Sequence, residues 1–400
     1  MHRLSTALGL PQHRFASIHV VGTNGKSSVT RMIAALLEAH GVSAGACVSP
    51  HPVRWSERVL LGGEEIAPEA FEAAVERTVR AAETVNRGLE DDDAVTQFEV
   101  ATAAAFVAFA AARVDAAAIE AGLGGRLDAT NTIPSKVTVL TSIGLDHTDW
   151  LGETELEIAG EKLAVLRDHT TLAVGRLSDE VAELAAETAA ARGARLVVAP
   201  EDPGEDVPVR AAGPFQRRNF ALACVAAEAF LGRLDRNAAT EVGATLTVPG
   251  RLELLPTEPP TVLDAAHNPD GAIALAEGLR EVAGGRPVVA CLAVLAEKDA
   301  RAMVAALAPV VTHLVCTELP ADGPIRQGRL DVSARRRSLS AEALAGAAAE
   351  AGAAAEAVED FTAALARARE RAAALDGILL VTGSHYALAP ARDAVGLWKD

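Results

Sequence analysis

The stretch SIHVVGTNGKSSVTRM, residues 17–32, constrains this chain more than any other. A run rich in β-branched residues stops at Gly22, and a helical pattern opens just beyond, on Gly25-Lys26-Ser27-Ser28. A strand, a glycine turn and a helix start bring backbone N–H groups and the positive end of a helix dipole to one point, which suits an anion. In such a turn Lys26 can reach the β- and γ-phosphates of a nucleotide, and a following hydroxyl can ligate Mg²⁺. The general phosphate-loop spacing asks for glycine where this sequence has Val20. On these residues alone two readings stand: a phosphate cradle, and a glycine turn that caps a core helix.

A chain of 400 residues exceeds one ordinary core, so two domains are expected. Half of it is apolar, with an alanine bias and a single Tyr, as in a helix-heavy α/β protein. The formal charge of -17 argues against a general nucleic-acid binder, although a local basic pocket can still take small anions. Cys47, Cys224, Cys291 and Cys316 stand singly with no CxxC pair, which fits a reduced cytosol and no zinc site or disulfide framework. The opening MHRLSTALGLPQHRF lacks a secretory apolar region. The run FEVATAAAFVAFAAARVDAAAIEAG is broken by Glu99, Arg113 and Asp115, leaving less than the roughly 18 apolar residues of a membrane span. A soluble, cytoplasmic chain is expected.

Short β-branched runs alternate with helical patterns: SIHVV, DAAAIEAG, KVTVLTSI, TTLAVG and RLVVAP, then TVLDAA, RPVVACLAVL, THLVC and GILLVTG. That alternation predicts crossover units and mainly parallel sheets. A helix is expected from Phe215 to about Leu231. The Pro/Gly-rich end of NAATEVGATLTVPGRLELLPTEPP reads as a boundary, giving domains 1–247 and 248–400. LEDDDA and ADGPIRQGRLDVSARRRS read as mobile stretches, and Arg335 to Arg337 as a solvated basic face. The Ala-rich helices near 341–375 read as packing helices.

Individual residues carry chemical readings with bland alternatives beside them. Glu120 ends an apolar strand, where a lone carboxylate is costly unless it meets a metal or a cation; a surface glutamate is the alternative. His147 sits in the polar cluster LDHTDW, as a metal ligand or a satisfied loop histidine. Lys162 in GEKLAVL reads by itself as a helix-face residue paired with Glu161 or Glu157. GLGGRLDATN is not a dinucleotide fingerprint, because Leu127 stands where the last glycine is needed.

GTNGK followed by Ser resembles the ATP loop of the Mur ligase and folylpolyglutamate synthase superfamily. AIEAGLGGRLDATNTI (118–133) is similar to the E-x-G-x-G-G-x-x-D-A-T-N element of the folylpolyglutamate/dihydrofolate synthases. The resemblance continues through VSPHPVRWSERV, TQFEVATAAAFVAFA, TSIGLDHTDWLG, IAGEKLAVL, RRNFALA, PGRLE, LDAAHNPDG and VTGSHYALAPAR, in order along nearly the whole chain. It implies a P-loop-type, mainly parallel ATPase domain followed by a smaller Rossmann-like α/β domain, as in Mur ligases. It also implies a ligase that adds L-glutamate to dihydropteroate or a reduced folate through an acyl phosphate, with ATP as co-substrate and Mg²⁺ at two sites. A monomer without nucleic-acid or membrane partners is expected.

The resemblance carries roles to particular residues. Thr23, Asn24, Gly25, Lys26, Ser27, Ser28, Asn219, Arg251 and Asp264 fall on the ATP side. Ser28, Ser49, Glu120, His147 and Lys162 fall on the metal, with Lys162 at the position of a carbamylated lysine. Thr96, Gln97, Phe98, Glu99, Leu127, Asp128 and Ala129 line the pterin side, with Phe98 stacking. His267 takes a phosphate-side role and Ser384 faces the glutamate. Arg251, coming from the second domain, would make catalysis depend on closure.

The chain also departs from the family pattern. Ser27 replaces the usual Gly after the loop lysine, so either serine could supply the metal hydroxyl, with Ser28 preferred. Phe215-Gln216 replaces a His-Gln pair. The leading helix that precedes MHRL in the family, and contributes to the folate pocket, is missing from the sequence as read. The competing functions are a Mur-type peptidoglycan-precursor ligase and, from another class, a P-loop NTPase switch.

Overall fold

The computed structural model describes residues 1–51, 54–90, 93–204, 206–320, 338–394 and 396. Pro52 and Val53 of the VSPHPVRWSERV block lie outside the described residues. So do Asp91, Asp92 and the stretch 321–337 with Arg335 to Arg337. The chain forms two compact units: residues 1–210 with 217–246, and residues 211–216 with 247–400.

In the first unit the strands are β1 (Ala16–Val21), β2 (Ala44–Cys47), β3 (Val59–Leu61), β4 (Glu64–Glu65), β5 (Ala116–Glu120), β6 (Val137–Leu140), β7 (Thr171–Val174) and β8 (Arg195–Val198). They form one sheet in the order β4-β3-β2-β5-β1-β6-β7-β8. It is parallel from β2 to β8, and the β2–β3 and β3–β4 pairs are antiparallel. The accompanying helices are α1 (His2–Ala7), α2 (Lys26–Ala39), α3 (Pro68–Asn86), α4 (Gln97–Ala112), α5 (Thr148–Leu151), α6 (Glu155–Leu163) and α7 (Asp179–Ala191). Next come α8 (Pro214–Leu231), whose first residues group with the second unit, and α9 (Arg236–Thr245).

Register places the chemistry. Val20 pairs with Glu120 and Val21 with Leu140, so β1, β5 and β6 end side by side. Ligands of open α/β sheets gather at such carboxyl ends. The loop after β1, Glu120, and the segment after β6 are therefore neighbours by construction. The apolar run that begins at Phe98 is not a surface helix: α4 buries residues on nearly all sides, with Phe106 and Phe109 at 0% exposure. Such a helix has no solvated face to present and belongs in a core. Phe109 lies on Gly45 of β2, where a Cβ would come within 2.5 Å of the ring. Phe15 completes the cluster, its ring meeting that of Phe109 edge-on at 5.6 Å.

The second unit holds β9 (Glu253–Leu255), β10 (Thr261–Leu263), β11 (Val288–Leu292), β12 (His313–Cys316), β13 (Ala355–Ala357) and β14 (Ile378–Thr382). Their order is β13-β12-β11-β14-β10-β9, parallel except for the β9 edge. Helices α10 (Pro269–Ala283), α11 (Ala300–Leu307), α12 (Ala341–Glu350), α13 (Phe361–Ala374) and α14 (Leu388–Ala394) accompany it. The two Ala-rich helices pack through alanines and Leu344, Phe361 and Leu365. Phe215, where the resemblance expects a histidine, packs against this unit's apolar core beside Gly213 and Gly278.

Some elements escaped the sequence reading. β2 (AGAC) has no β-branched residue, and β3, β4, β9 and β13 have three residues or fewer. The stretch before the expected boundary contains α9, whose first N–H groups are capped by the Asp235 carboxylate at Asn237 and Ala238. Among the described residues no helix is long and apolar enough to cross a membrane, and Cys47, Cys224, Cys291 and Cys316 are free thiols.

The Phe109 contact yields a stability prediction. Phe109→Ala should cost the first unit about 3–5 kcal/mol in chemical denaturation. A loss under about 1 kcal/mol would mean that the ring does not fill the space between α4 and β2.

Candidate active site

The loop after β1 is held from outside as well as by its own glycines. Gly22 has φ +148°, and a Cβ there would fall 1.9 Å from Thr141 Oγ1, so only glycine fits. Thr141 and Ser142, just past β6, then lace the loop down. Thr141 Oγ1 donates to the Asn24 carbonyl at 2.6 Å, and the Thr23 N–H donates to the Ser142 carbonyl at 2.7 Å. Asn24 N–H donates to Ser142 Oγ at 3.1 Å. Gly25, at φ +84°, caps α2 and lies against the Asn219 amide of α8. Thr141 and Ser142 were not singled out in the sequence. The signal available was the TS pair at the end of the strand that neighbours β1.

Two lysines converge on this loop. Lys26 Nζ donates to the carbonyls of Gly22 and Thr23 at 3.0 and 2.9 Å. Lys162 Nζ, from α6, donates to the same Gly22 carbonyl at 3.0 Å. Lys162 is 4% exposed. Burial and the neighbouring Lys26 ammonium push its amine down to about 7, against the pull of Asp146 and Asp128. The bland reading of Lys162 therefore does not hold. Glu161 pairs with Arg126 at 2.9 Å, and Glu157 is the capping-box partner of Thr154 at the start of α6. Gly125 lets the GLGG turn lie on this helix, since a Cβ there would sit 2.7 Å from the Glu161 carbonyl oxygen.

Glu120 is a buried carboxylate, 2% exposed, so the surface alternative fails. Its Oε1 accepts from Ser27 Oγ at 3.0 Å and its Oε2 from the Ser49 N–H at 2.9 Å. The hydroxyl that meets Glu120 is thus that of Ser27. Ser28 is buried at 1% exposure. Glu120, Ser27 and Ser49 bring together hard oxygen donors of the kind that suit a small divalent cation. His147 is half-exposed, in left-handed conformation at φ 53°, and Asp146 Oδ1 accepts from its backbone N–H at 2.9 Å. Among the described residues no three His, Cys, Asp or Glu side chains converge on a metal-sized point. The expected donor set includes only two of those residue types, Glu120 and His147.

The expected pterin-side residues form a second cluster. Thr96 caps α4 in a capping box with Glu99, which also pairs with the N-terminal amine. Gln97 is exposed at the start of that helix. The Phe98 ring lies on Gly122, where a Cβ would come within 2.3 Å of it. Asp128 accepts from the N–H of Leu123 and of Thr130, at 2.8 and 2.9 Å. Leu127 is 93% exposed, and Ala129 is buried. The sequence reading left out the group that flanks Phe98. The Arg58 guanidinium lies 4.6 Å from the Trp55 ring and 6.0 Å from that of Phe98, and its Nε donates to His51 Nδ1 at 2.9 Å. Burial and Arg58 together push the His51 imidazole down to about 4.

In the second unit Asp264 is buried, with Oδ2 accepting from the Leu252 N–H and Oδ1 from the Ala266 N–H, both at 2.7 Å. It thereby clamps the turn that presents Arg251, in which Leu252 is left-handed at φ 48°. Burial raises the Asp264 carboxyl, opposed by Arg251 and these backbone bonds. Asn268 caps α10 through the Gly271 N–H. His267 Nδ1 meets the Ala265 carbonyl at 2.9 Å and must donate to it. Its ring lies 5.0 Å from that of His385, a neighbour the sequence reading passed over. Ser384 is buried and its Oγ accepts from the Tyr386 N–H at 3.2 Å.

Comparison with known proteins identifies the family. The family model described as "Mur ligase, glutamate ligase domain" matches residues 250–385. The dihydrofolate synthase/folylpolyglutamate synthase of Mycobacterium tuberculosis is 36% identical over 388 residues, covering 87% of this chain and 76% of that protein. The Escherichia coli protein of the same name is 33% identical over 320 residues, 76% of this chain and 73% of that one. Among solved structures, Mycobacterium tuberculosis folylpolyglutamate synthase complexed with ADP and AMPPCP superposes with a TM-score of 0.89 at 33% identity, covering 100% of this chain and 95% of that one. E. coli FolC in complex with DHPP and ADP superposes at 0.82 with 29% identity, covering 99% and 92%. The chain belongs to the dihydrofolate synthase/folylpolyglutamate synthase family of ATP-dependent ligases that form carbon–nitrogen bonds.

Proposed function

We propose that this enzyme adds L-glutamate to dihydropteroate, to the γ-carboxylate of a reduced folyl-glutamate, or to both, with ATP converted to ADP and phosphate. The observation that carries this reading is the meeting of Lys26 and Lys162 on the Gly22 carbonyl beside a buried Glu120, in a chain that matches these ligases over most of its length. A carboxylate is a poor electrophile, because direct amidation would expel oxide. An oxygen of the substrate carboxylate therefore attacks the γ-phosphorus of ATP, giving an acyl phosphate and ADP. The amine of glutamate then attacks the acyl carbon, phosphate leaves with the C–O electron pair, and the amine gives up a proton.

The protein contributes position and charge. Backbone N–H groups at the start of α2 and Lys26 hold the β/γ-phosphates, with Thr23, Asn24 and Asn219 lining the nucleotide. Ser27, Ser49, Glu120 and His147, with Lys162 as its carbamate, would hold Mg²⁺. Bound there, the ion would neutralise phosphate charge. Ser27 replaces Ser28 in this set because it is the serine that touches Glu120. Phe98, Leu127, Asp128 and Ala129, with Thr96, Gln97 and Glu99 at the helix start, receive the pterin. Arg251, set by Asp264, serves the transferred phosphoryl group, His267 acts on the phosphate side, and Ser384 on the glutamate side.

Lys162 supplies the reading's sharpest chemistry. An amine poised near 7 is substantially neutral at neutral pH, and a neutral amine captures CO₂ as a carbamate. The amine nitrogen bonds the carbon of CO₂, one C–O electron pair moves onto oxygen and one N–H proton leaves to solvent, so the neutral amine beside Lys26 becomes an anion.

The deciding experiment offers dihydropteroate and tetrahydrofolate separately with ATP, Mg²⁺ and glutamate, and follows ADP and product mass. Amide product that needs acceptor and glutamate together is expected; ADP release indifferent to both would leave only a nucleotidase. Lys26→Ala should abolish ADP formation in this assay, and normal turnover in that variant would reduce the loop to a structural turn. Wild type freed of CO₂ should lose activity, and added bicarbonate should restore it above about pH 7 but progressively less as pH drops below that, where the amine protonates. Lys162→Ala should not respond to bicarbonate; a response equal to wild type would sink the carbamate. Arg251→Ala should keep acceptor binding while kcat falls at least tenfold, and an unchanged kcat would remove its role in phosphoryl transfer.

A further inference from the structure

His19 lies in the middle of β1 at 0% exposure, three residues before the phosphate loop, and no step above uses it. Its Nε2 lies 2.8 Å from Thr130 Oγ1. Thr130 Oγ1 in turn bonds Asp128 Oδ1, which also accepts from the Thr130 N–H at 2.9 Å. Directions follow from donor chemistry. An ionised carboxylate cannot donate, so the threonine hydroxyl donates to Asp128 and must accept from the imidazole. His19 is therefore the Nε2–H tautomer, and its Nδ1 is the lone pair left buried without a hydrogen-bond partner. Burial and Arg167 push the imidazole down to about 3, so this tautomer stays neutral across the working range. A buried nitrogen without a partner costs stability, and something should offset it.

The chain of bonds ends at the rim of the Phe98 platform. Asp128 Oδ1 accepts twice from Thr130, which fills it; Oδ2 accepts once, from Leu123 N–H at 2.8 Å, and keeps one lone pair. Leu123 follows Gly122, on which the Phe98 ring rests. We propose that His19 is a positioning residue for acceptor recognition: through Thr130 it fixes the Asp128 carboxylate so that the second lone pair of Oδ2 meets a ring N–H of the pterin. This rests on the assignment of Asp128 to the pterin side. It gives the histidine of the SIHVV strand a part in acceptor binding, although it never touches the acceptor.

Thr130→Val removes the hydroxyl at nearly constant volume. It should raise the KM for the pterin acceptor about tenfold, the worth of one lost orienting bond, while kcat and the KM for ATP stay within about twofold. Thr130→Ser restores the hydroxyl and should recover the acceptor KM. In ¹⁵N-resolved NMR of the wild type, His19 should show one neutral Nε2–H tautomer without titration from pH 5 to 8; an Nδ1–H tautomer or a titration in that range overturns the relay, whatever the variants do. Asp128→Asn separates the two layers of inference. If it leaves the acceptor KM unchanged, Asp128 is not in the acceptor site and the proposal falls with that assignment. If it raises the KM while Thr130→Val, folded by circular dichroism, does not, the acceptor site stands and the relay alone is wrong.

Discussion

One carbonyl oxygen, that of Gly22, accepts from two lysine amines at 3.0 Å each, and much of the first unit is arranged around that crowding. Two full ammonium charges so close together in a half-dry site repel strongly. The conflict is resolved by lowering the basicity of the more buried partner, which burial alone pushes in the same direction. The approach also needs a bare backbone. Gly22 has no room for a Cβ beside Thr141, and Gly125 has none beside α6, the helix that delivers Lys162. Three separated segments, after β1, after β5 and in α6, are thereby tied together, by the Lys162 amine on Gly22 and by Gly125 against the α6 backbone.

Much of this was legible in the primary structure, for a physical reason. The strand–turn–helix at Gly22 and the alternation of strand and helix patterns are local signals, and they gave the α/β class with mainly parallel sheets. Glu120 could be suspected because a charge closing an apolar run must find a partner, and it found Ser27 and the Ser49 N–H. What escaped depends on contacts that no local pattern records. β2 reads AGAC, without one β-branched residue, and its Gly45 leaves the space that Phe109 fills. Thr141 and Ser142 look like ordinary strand-end residues until β6 is laid beside β1. The choice between Ser27 and Ser28 is a matter of helix phase relative to Glu120, and one step along α2 is a rotation of about 100°.

The acids of the two units share a device. Glu120 closes β5, Asp264 follows β10, and each uses its carboxylate to hold a backbone N–H of a neighbouring loop: Ser49 for one, Leu252 and Ala266 for the other. Asp128 does the same for Leu123 and Thr130. A carboxylate bonded to backbone N–H groups orients a loop without requiring a second side chain to be held in place, which costs less conformational entropy than an ion pair. Such loops can present Arg251, or Gly122 beneath the Phe98 ring, at a set angle before any ligand arrives.

Burial sharpens the point. Setting the thiols aside, the ionisable side chains that are buried among the described residues are His19, Glu120, Lys162 and Asp264. Charged groups are rarely buried in proteins, and a fold gains nothing in stability by burying them where an apolar residue would pack as well. If they served packing, they would be scattered through the cores. Instead Glu120 ends β5, Asp264 follows β10 and Lys162 sits in α6 against the loop after β1, while His19, inside β1, is bonded to Thr130 beside Asp128. The desolvation of these four groups is therefore best understood as the cost of orienting and tuning the loops and side chains they touch, with stability supplied by the apolar layers on either side of each sheet.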